Sequence, residues 1–297
     1  MRNVGRKLAF VLAASNHGTL ITNRFDYRMS GPDAGIGVGY QLLEAGAVDP
    51  IEVELALQLI ESRRRFHGDG VVAIDCGANI GVHAIEWATA MTGWGSVIAI
   101  EAQERIYYAL AGNIAINNCF NAIAMHAAVS SEPGVLQIPT PDYLLPANFG
   151  NLELKARADG EFIGQPIDYS AGKTVAIQKI SLDALDLARV DLIKLDIEGM
   201  ELEALEGARQ TIGRSIRSFW WNQSRPGAIR SATSSMRTAT RLWKRASICW
   251  RSTKAIASSA NCSFPNSRHN PRPDRIILDP RVPRSAPANS RRRPVQP

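Results

Sequence analysis

Apolar and polar positions along this chain switch repeatedly between strand-like runs and helical spacing. Residues 8–14 and 19–23 read as two short strands joined by a turn at 16–18. In residues 50–65, Ile51, Leu55 and Leu59, with Ala56 and Ile60 beside them, recur at the spacing of an amphipathic helix. Its acids lie early and its arginines late, as a helix dipole prefers. The HGDG segment at 67–70 turns the chain into an apolar run that ends at Asp75. A helix near 82–91, a strand over 97–101, a helix over 104–117 and a third strand over 122–129 follow. This alternation predicts an α/β fold, a mostly parallel sheet with right-handed crossovers and helices on both faces.

Residues 130–175 break the rhythm with prolines at 133, 139, 141, 146 and 166 and several glycines. They read as a long irregular insertion, with short strands over 135–138 and 152–154. Such insertions either close over a substrate or stand out as solvent loops. The pattern resumes with a strand and turn over 175–185, a strand over 191–199 that ends in acids, and a helix over 200–208. A fifth strand begins within 215–221, and after it the pattern disappears.

The segment VVAIDCGANIG at 71–81 carries the first candidate chemistry. A buried strand ends at Asp75, and Gly77 and Gly81 allow a sharp turn before the next helix. That layout makes a nucleotide-type cofactor site at the carboxyl edge of a sheet. The next strand ends in Glu101, whose carboxylate suits both hydroxyls of a ribose. A dinucleotide loop wants G-x-G-x-x-G and backbone amides for a pyrophosphate. Here Asn79 crowds a phosphate and Asp75 repels one, which favours S-adenosylmethionine, with its cationic sulfonium, over NAD. Asp75 and Glu101 are expected to face one cavity.

Charge divides the chain. Residues 1–212 hold 16 Lys/Arg against 26 Asp/Glu, and residues 213–297 hold 18 against 2, so a net of −10 meets a net of +16 to give the overall +6. The pI near 9.3 therefore comes from the tail and does not describe the folded core. The tail is rich in Arg, Ser, Ala and Pro, and its tryptophans follow no period; it reads as disordered. One reading is an arginine-rich RNA- or membrane-binding arm. The other is that a reading-frame change near residues 212–220 of a GC-rich gene replaced the true ending. The organisation expected is thus an N-terminal region over 1–70, a cofactor-binding core over 71–212 carrying the insertion, and the basic tail over 213–297.

The four cysteines have no C-x-x-C spacing and no paired histidines, so no metal site is expected and the thiols read as reduced and structural. The seven-residue apolar run at 8–14 only loosely imitates a secretory signal, at the short limit and without a clear cleavage pattern after it; no run approaches transmembrane length, and a cytoplasmic location is expected. Asp196 and Glu198 lie at the end of the 192–197 strand and point the same way if the extension persists. They are candidates to orient or deprotonate a substrate hydroxyl. Of the histidines, His83 lies near the cofactor loop, and His126 reads as a packed core residue.

VVAIDCGANIGVHAIEWA (71–88), SVIAIEAQERIYYALAGNIAINN (96–118) and LIKLDIEGMELEALEGA (192–208) together resemble the FkbM-type methyltransferases. The D-x-G-x-x-x-G loop is shared by many methyltransferases; its combination with D-x-E-G-x-E is more particular. The resemblance implies the class I methyltransferase (Rossmann-like) fold, S-adenosylmethionine as cofactor, and O-methylation of a hydroxyl on a sugar or other small-molecule or glycan acceptor. Carried over, it places Asp75, Gly77, Ala78, Asn79 and Gly81 in the cofactor loop, Glu101 and Ala102 at the ribose, and Asp196 beside the transferring methyl. It also implies that the last strands of the sheet are missing here, because the tail departs from the family pattern. Three rivals stand against this reading: an inactive frameshifted relic, an NAD-dependent oxidoreductase, and a nucleic-acid- or membrane-binding protein acting through the tail.

Overall fold

A computed structural model of the chain describes residues 7–32, 34–158 and 160–214, and the backbone of three strands beyond them. It opens on a hairpin of β1 (Phe10–Ser15) and β2 (Gly18–Asn23), the predicted pair of strands. A second small hairpin, β3 (Arg28–Met29) with β4 (Gly35–Ile36), leads into α1 (Val38–Ala45) and then α2 (Pro50–His67). The hairpin and α1 past residue 23 leave little mark in the sequence, because their apolar positions are few and the turns are glycine-rich.

The core is β5 (Val71–Cys76), α3 (Val82–Ala90), β6 (Gly95–Glu101), α4 (Glu104–Ile116) and β7 (Ala122–His126), each close to its predicted place. The predicted third strand stops earlier than expected. Its last residues form a separate strand, β8 (Ala128–Val129), in a small second sheet with β9 (Gly134–Pro139) and β10 (Thr174–Ile180). A backbone hydrogen bond from Ala127 to Glu101 O (3.2 Å) marks where the chain leaves the main sheet. The expected strand at 152–154 is absent: after a 3₁₀ turn at Phe149–Asn151, Leu152 and Leu154 are buried as anchors of an irregular wall. The chain then runs through β11 (Leu192–Leu195), α5 (Glu201–Glu206) and α6 (Arg209–Arg214).

Parallel pairing joins β7, β6, β5 and β11 in that order, and β12 (Ser218–Gln223) continues it as the expected fifth strand. The expectation that the last strands are missing is corrected here. β13 (Ser247–Ser252) pairs parallel to β12, and β14 (Asn261–Ser263) pairs antiparallel to β13. The apolar residues of these strands, Ile248 and Trp250 among them, sit in Arg- and Ser-rich text that hides any strand period. The remainder of the tail, and with it the disordered-arm and frame-change readings, lies outside the described residues.

Parallel strands are covered on both sides, so each reads as a continuous apolar run. On one face, Val71, Ala73, Val97, Ala99 and Leu192 pack under the apolar sides of α2, α3 and α4. On the other, Ile74, Cys76, Ile100, Ile193 and Leu195 meet Leu182 of the 3₁₀ turn Leu182–Leu185 and Ala204 and Leu205 of α5. Asn113 near the end of α4 and Asn117, which caps it, lie one helical turn apart and hold the N-terminal hairpin against this core. Asn113 accepts from Ile21 N (2.5 Å) and donates to Ile21 O (3.0 Å) and Ile80 O (2.8 Å). Asn117 accepts from Thr19 N (3.2 Å) and donates to Thr19 O (2.8 Å). The two side chains stand in for a neighbouring strand along β2 and tie it to the glycine turn.

Candidate active site

The turn after β5 is built from residues that only a close approach explains. Gly77 has φ +75°, and a Cβ there would lie 1.9 Å from the carbonyl oxygen of Asp196. Asp196 N in turn donates to Cys76 O (3.0 Å), so the ends of β5 and β11 are locked together at the point where both carry acids. Every amide of the turn is already used. Gly77 N and Ala78 N donate to Ile100 O (2.9 and 3.0 Å), and Gly81 N to Ala78 O (2.9 Å). Asn79 N donates to Glu101 Oε2 (2.9 Å), and Ile80 N to Asn79 Oδ1 (2.7 Å). A pyrophosphate needs such amides pointing at it. This turn has none to give, which removes the ground for a dinucleotide.

A cavity of about 530 Å³ opens beside the turn, within the ~300–1,000 Å³ range of small-molecule sites. Gly77, Ala78, Asn79, Glu101, Ala102, Asp196 and Glu198 all line it, from three separate elements. Gly81 does not; it caps α3 at φ +94° against Leu110. Asp75 does not line it either, and only Glu101 of the expected pair faces the cavity directly. Asp75 is buried one layer behind, where Lys194 sits directly opposite it on β11. The Lys194 ammonium lies 3.4 Å from Asp75 Oδ1 and 3.2 Å from Asp196 Oδ2, and it lines the cavity itself. Asp75 therefore reaches the cavity through this buried cation. Burial raises the Asp75 pKa, against the pull of Lys194; Lys194, despite burial, is held above its ordinary value by Asp196 and Asp75.

Glu101 ends β6 with both oxygens engaged, Oε1 by Gln103 N (2.8 Å) and Oε2 by Asn79 N (2.9 Å). Burial pushes its carboxyl up to about 7, and the backbone amides hold it from going higher. A carboxylate fixed in this way keeps lone pairs for two vicinal hydroxyls. The β11 strand ends at Leu195, so the extension that would have aligned Asp196 with Glu198 is lost, although both reach the same cavity. His83 also lines it, with its pKa lowered first by burial and then by Lys194. His126 is corrected from core to surface: it is exposed, stacked on Tyr107 at 4.9 Å, and bonded to Ala102 O (3.1 Å).

The insertion forms the cavity's outer wall through Asn148, Gly150, Asn151, Leu152, Leu154 and Glu161, and the N-terminal region adds Gly37, Val38, Gln41, Asp49 and Glu52. Asp26 joins the two walls. Its buried carboxylate accepts from Gly39 N (3.0 Å) in the first turn of α1 and Phe149 N (2.9 Å) in the insertion. Burial raises its pKa to about 6, while these amides oppose the rise. Across the same gap, Arg28 donates to Glu161 at 2.7 Å.

The model of the FkbM methyltransferase domain matches residues 75–231, more than half of the chain. The chain belongs to the FkbM methyltransferase domain family. The match begins at the acid before the glycine turn, includes Glu101 and the Asp196–Glu201 motif, and closes within the basic region. Among solved structures, the FkbM methyltransferase of Methylobacillus flagellatus is similar over 60% of this chain at 18% identity and a TM-score of 0.35. This FkbM chain spans 37% of the length of that protein. Precorrin-6y C5,15-methyltransferase of Geobacter metallireducens aligns over 66% of the chain and 74% of its own length, at 16% identity and a TM-score of 0.36. A SAM-dependent methyltransferase of Aquifex aeolicus covers 54% of the chain and 66% of its own, at 13% identity and a TM-score of 0.24. No curated protein matches the chain.

Sequence reading missed Lys194 and Gln103 in this FkbM domain, and Glu52 and Asp26 ahead of it. Lys194 had a signal, a lone cation inside an apolar run destined for a buried strand, where an unpaired charge is too costly to stand. Asp26 and Glu52 had none, because their partners come from distant parts of the chain.

Proposed function

We propose that this FkbM domain binds S-adenosylmethionine in the cavity and methylates a hydroxyl of a sugar or other small-molecule or glycan acceptor. The observation that carries the reading is the consumed set of amides at residues 77–81 beside a cavity-facing carboxylate, Glu101. That donor set suits a ribose and a cationic centre and gives nothing to a phosphate. When bound, S-adenosylmethionine supplies a sulfonium-activated methyl group, whose transfer to an acceptor oxygen breaks the carbon–sulfur bond with both electrons staying on sulfur and releases the hydroxyl proton.

The protein's own share is placement. Glu101, held by two backbone amides, fixes the ribose, and the turn at 77–80 supports the cofactor's body. Asp196, tied to Lys194, stands at the tip of the next strand to orient the acceptor hydroxyl and receive its proton. The wall of Asn148–Leu154 limits water at the reacting centre. The test is incubation of the full chain with methyl-tritiated S-adenosylmethionine and a mixture of glycans and hydroxylated small molecules. Label recovered in acid-stable ether linkages supports O-methylation; label confined to amines, thiols or esters rejects it.

A further inference from the structure

We propose that Gln103 is a positioning residue that ties the cofactor carboxylate, Glu101, to the 3₁₀ turn Phe149–Asn151, so that filling the cofactor site firms that wall of the cavity. This rests on the methyltransferase reading and adds a link between its cofactor site and its insertion. Gln103 is buried and lines the cavity. Its backbone N–H donates to Glu101 Oε1 (2.8 Å), while its side-chain nitrogen donates to Phe149 O (2.9 Å). Its side-chain oxygen accepts from Tyr143 Oη (3.2 Å), and the Tyr143 ring packs on Phe149 at 4.9 Å. A peptide carbonyl only accepts, so the amide serves Phe149 in one orientation alone. A single residue thus bridges the carboxylate of β6 and the backbone of the insertion.

The other donor to Glu101 reaches the same turn. Asn79 N donates to Oε2 (2.9 Å), and a Cβ on Gly150 would lie 3.2 Å from the Asn79 side-chain nitrogen. The two residues that clamp Glu101 therefore meet consecutive residues of the insertion, Phe149 and Gly150. The turn is positioned from outside its own segment. Asp26 holds the Phe149 N–H (2.9 Å), and Gln103 holds the carbonyl, which also accepts from Leu152 N (3.2 Å) to close the turn. Asn148, Gly150, Asn151 and Leu152 carry this placement into the cavity wall. A ribose on Glu101 can use its remaining lone pairs and leave both amide bonds in place. It restrains the carboxylate and the two residues that hold it. The turn seated on those residues then gives up less freedom when it settles, so the two events favour each other without a change of shape. By linkage the effect is reciprocal.

The test is hydrogen exchange of the full chain, with and without saturating S-adenosylhomocysteine, on peptides spanning residues 148–154. Binding itself is measured by calorimetry. In the wild type the ligand should slow exchange there by at least about fivefold. Gln103→Met, close in size but without the donor, should cut that slowing to below about twofold and weaken S-adenosylhomocysteine by a similar factor. A merely structural tie would speed exchange equally in the free and bound chain and leave the ratio intact. Tyr143→Phe keeps the Gln103 amide, loses the hydroxyl that orients it, and should bring the ratio to about half the wild-type value. If Gln103→Met does not fold, Tyr143→Phe decides. Wild-type binding without slowing at 148–154, or a ratio unchanged in the variants, overturns the proposal and leaves the methyltransferase reading in place. Failure of S-adenosylhomocysteine to bind the wild type sinks both.

Discussion

Replacing Asp26 by Asn probes the junction that joins the two walls of the cavity. Asp26 is almost wholly buried, and its carboxyl is raised from 3.8 to about 6 by that burial. At ~1.36 kcal/mol for each pH unit, the rise corresponds to about 3 kcal/mol. The sign follows from linkage. Between pH 4 and 6 the folded chain keeps a proton that the unfolded chain has lost, so stability falls as pH rises through that window. The contribution is complete below the unfolded value and gone above about 6. Asn cannot titrate, and above pH 7 it relieves a buried charge, but its amide nitrogen cannot accept from Gly39 or Phe149. One buried N–H then goes unmet at a cost of about 1–3 kcal/mol, close to what the lost charge returns. Urea unfolding of both proteins from pH 4 to 7.5 should give nearly equal stability at the top of the range. The wild type should lead by up to about 3 kcal/mol near pH 4, and the difference should shrink smoothly towards pH 6. A difference curve that is flat, or that grows as pH rises, would refute the reasoning.

Three other outcomes follow from the same structure. Glu101 is held near 7, so S-adenosylhomocysteine affinity should weaken as pH drops through about 7 and the carboxylate protonates; in Glu101→Gln the calorimetric affinity should be low and indifferent to pH. Gly77→Ala places a methyl against the Asp196 carbonyl at positive φ, and thermal unfolding should show a loss of about 3 kcal/mol or more, with ligand binding abolished. Lys194→Met leaves Asp75 without its cation in the interior, and should cost about 3–5 kcal/mol, a loss that shrinks as pH falls because a proton on Asp75 removes the unpaired charge.

The parallel core was legible because burial on both faces demands unbroken apolar runs, and three of these runs, β5, β6 and β11, lead into an acid. That is why Asp75, Glu101 and Asp196 could be placed at one sheet edge before any coordinates. What each acid touches was not legible. Asp75 and Glu101 end neighbouring strands, yet one faces a lysine and the other the cavity, a difference set by a residue 119 positions away in the chain. The walls escaped for a related reason. Residues 130–175 have no period, since Leu152, Leu154 and Phe149 are buried by irregular backbone held through Asp26 and Gln103. In the tail, the apolar part of β13 is only Ile248–Trp250 amid arginines and serines, and β14, Asn-Cys-Ser, has no apolar run to read.

Titration of the purified full chain with S-adenosylhomocysteine and, separately, with NAD tests the cofactor assignment most directly. The structure predicts heat from S-adenosylhomocysteine, none from NAD, and at least a tenfold loss of affinity in Glu101→Ala, about 1.4 kcal/mol or more. Binding of NAD, or S-adenosylhomocysteine affinity that is absent or indifferent to the loss of Glu101, would contradict it.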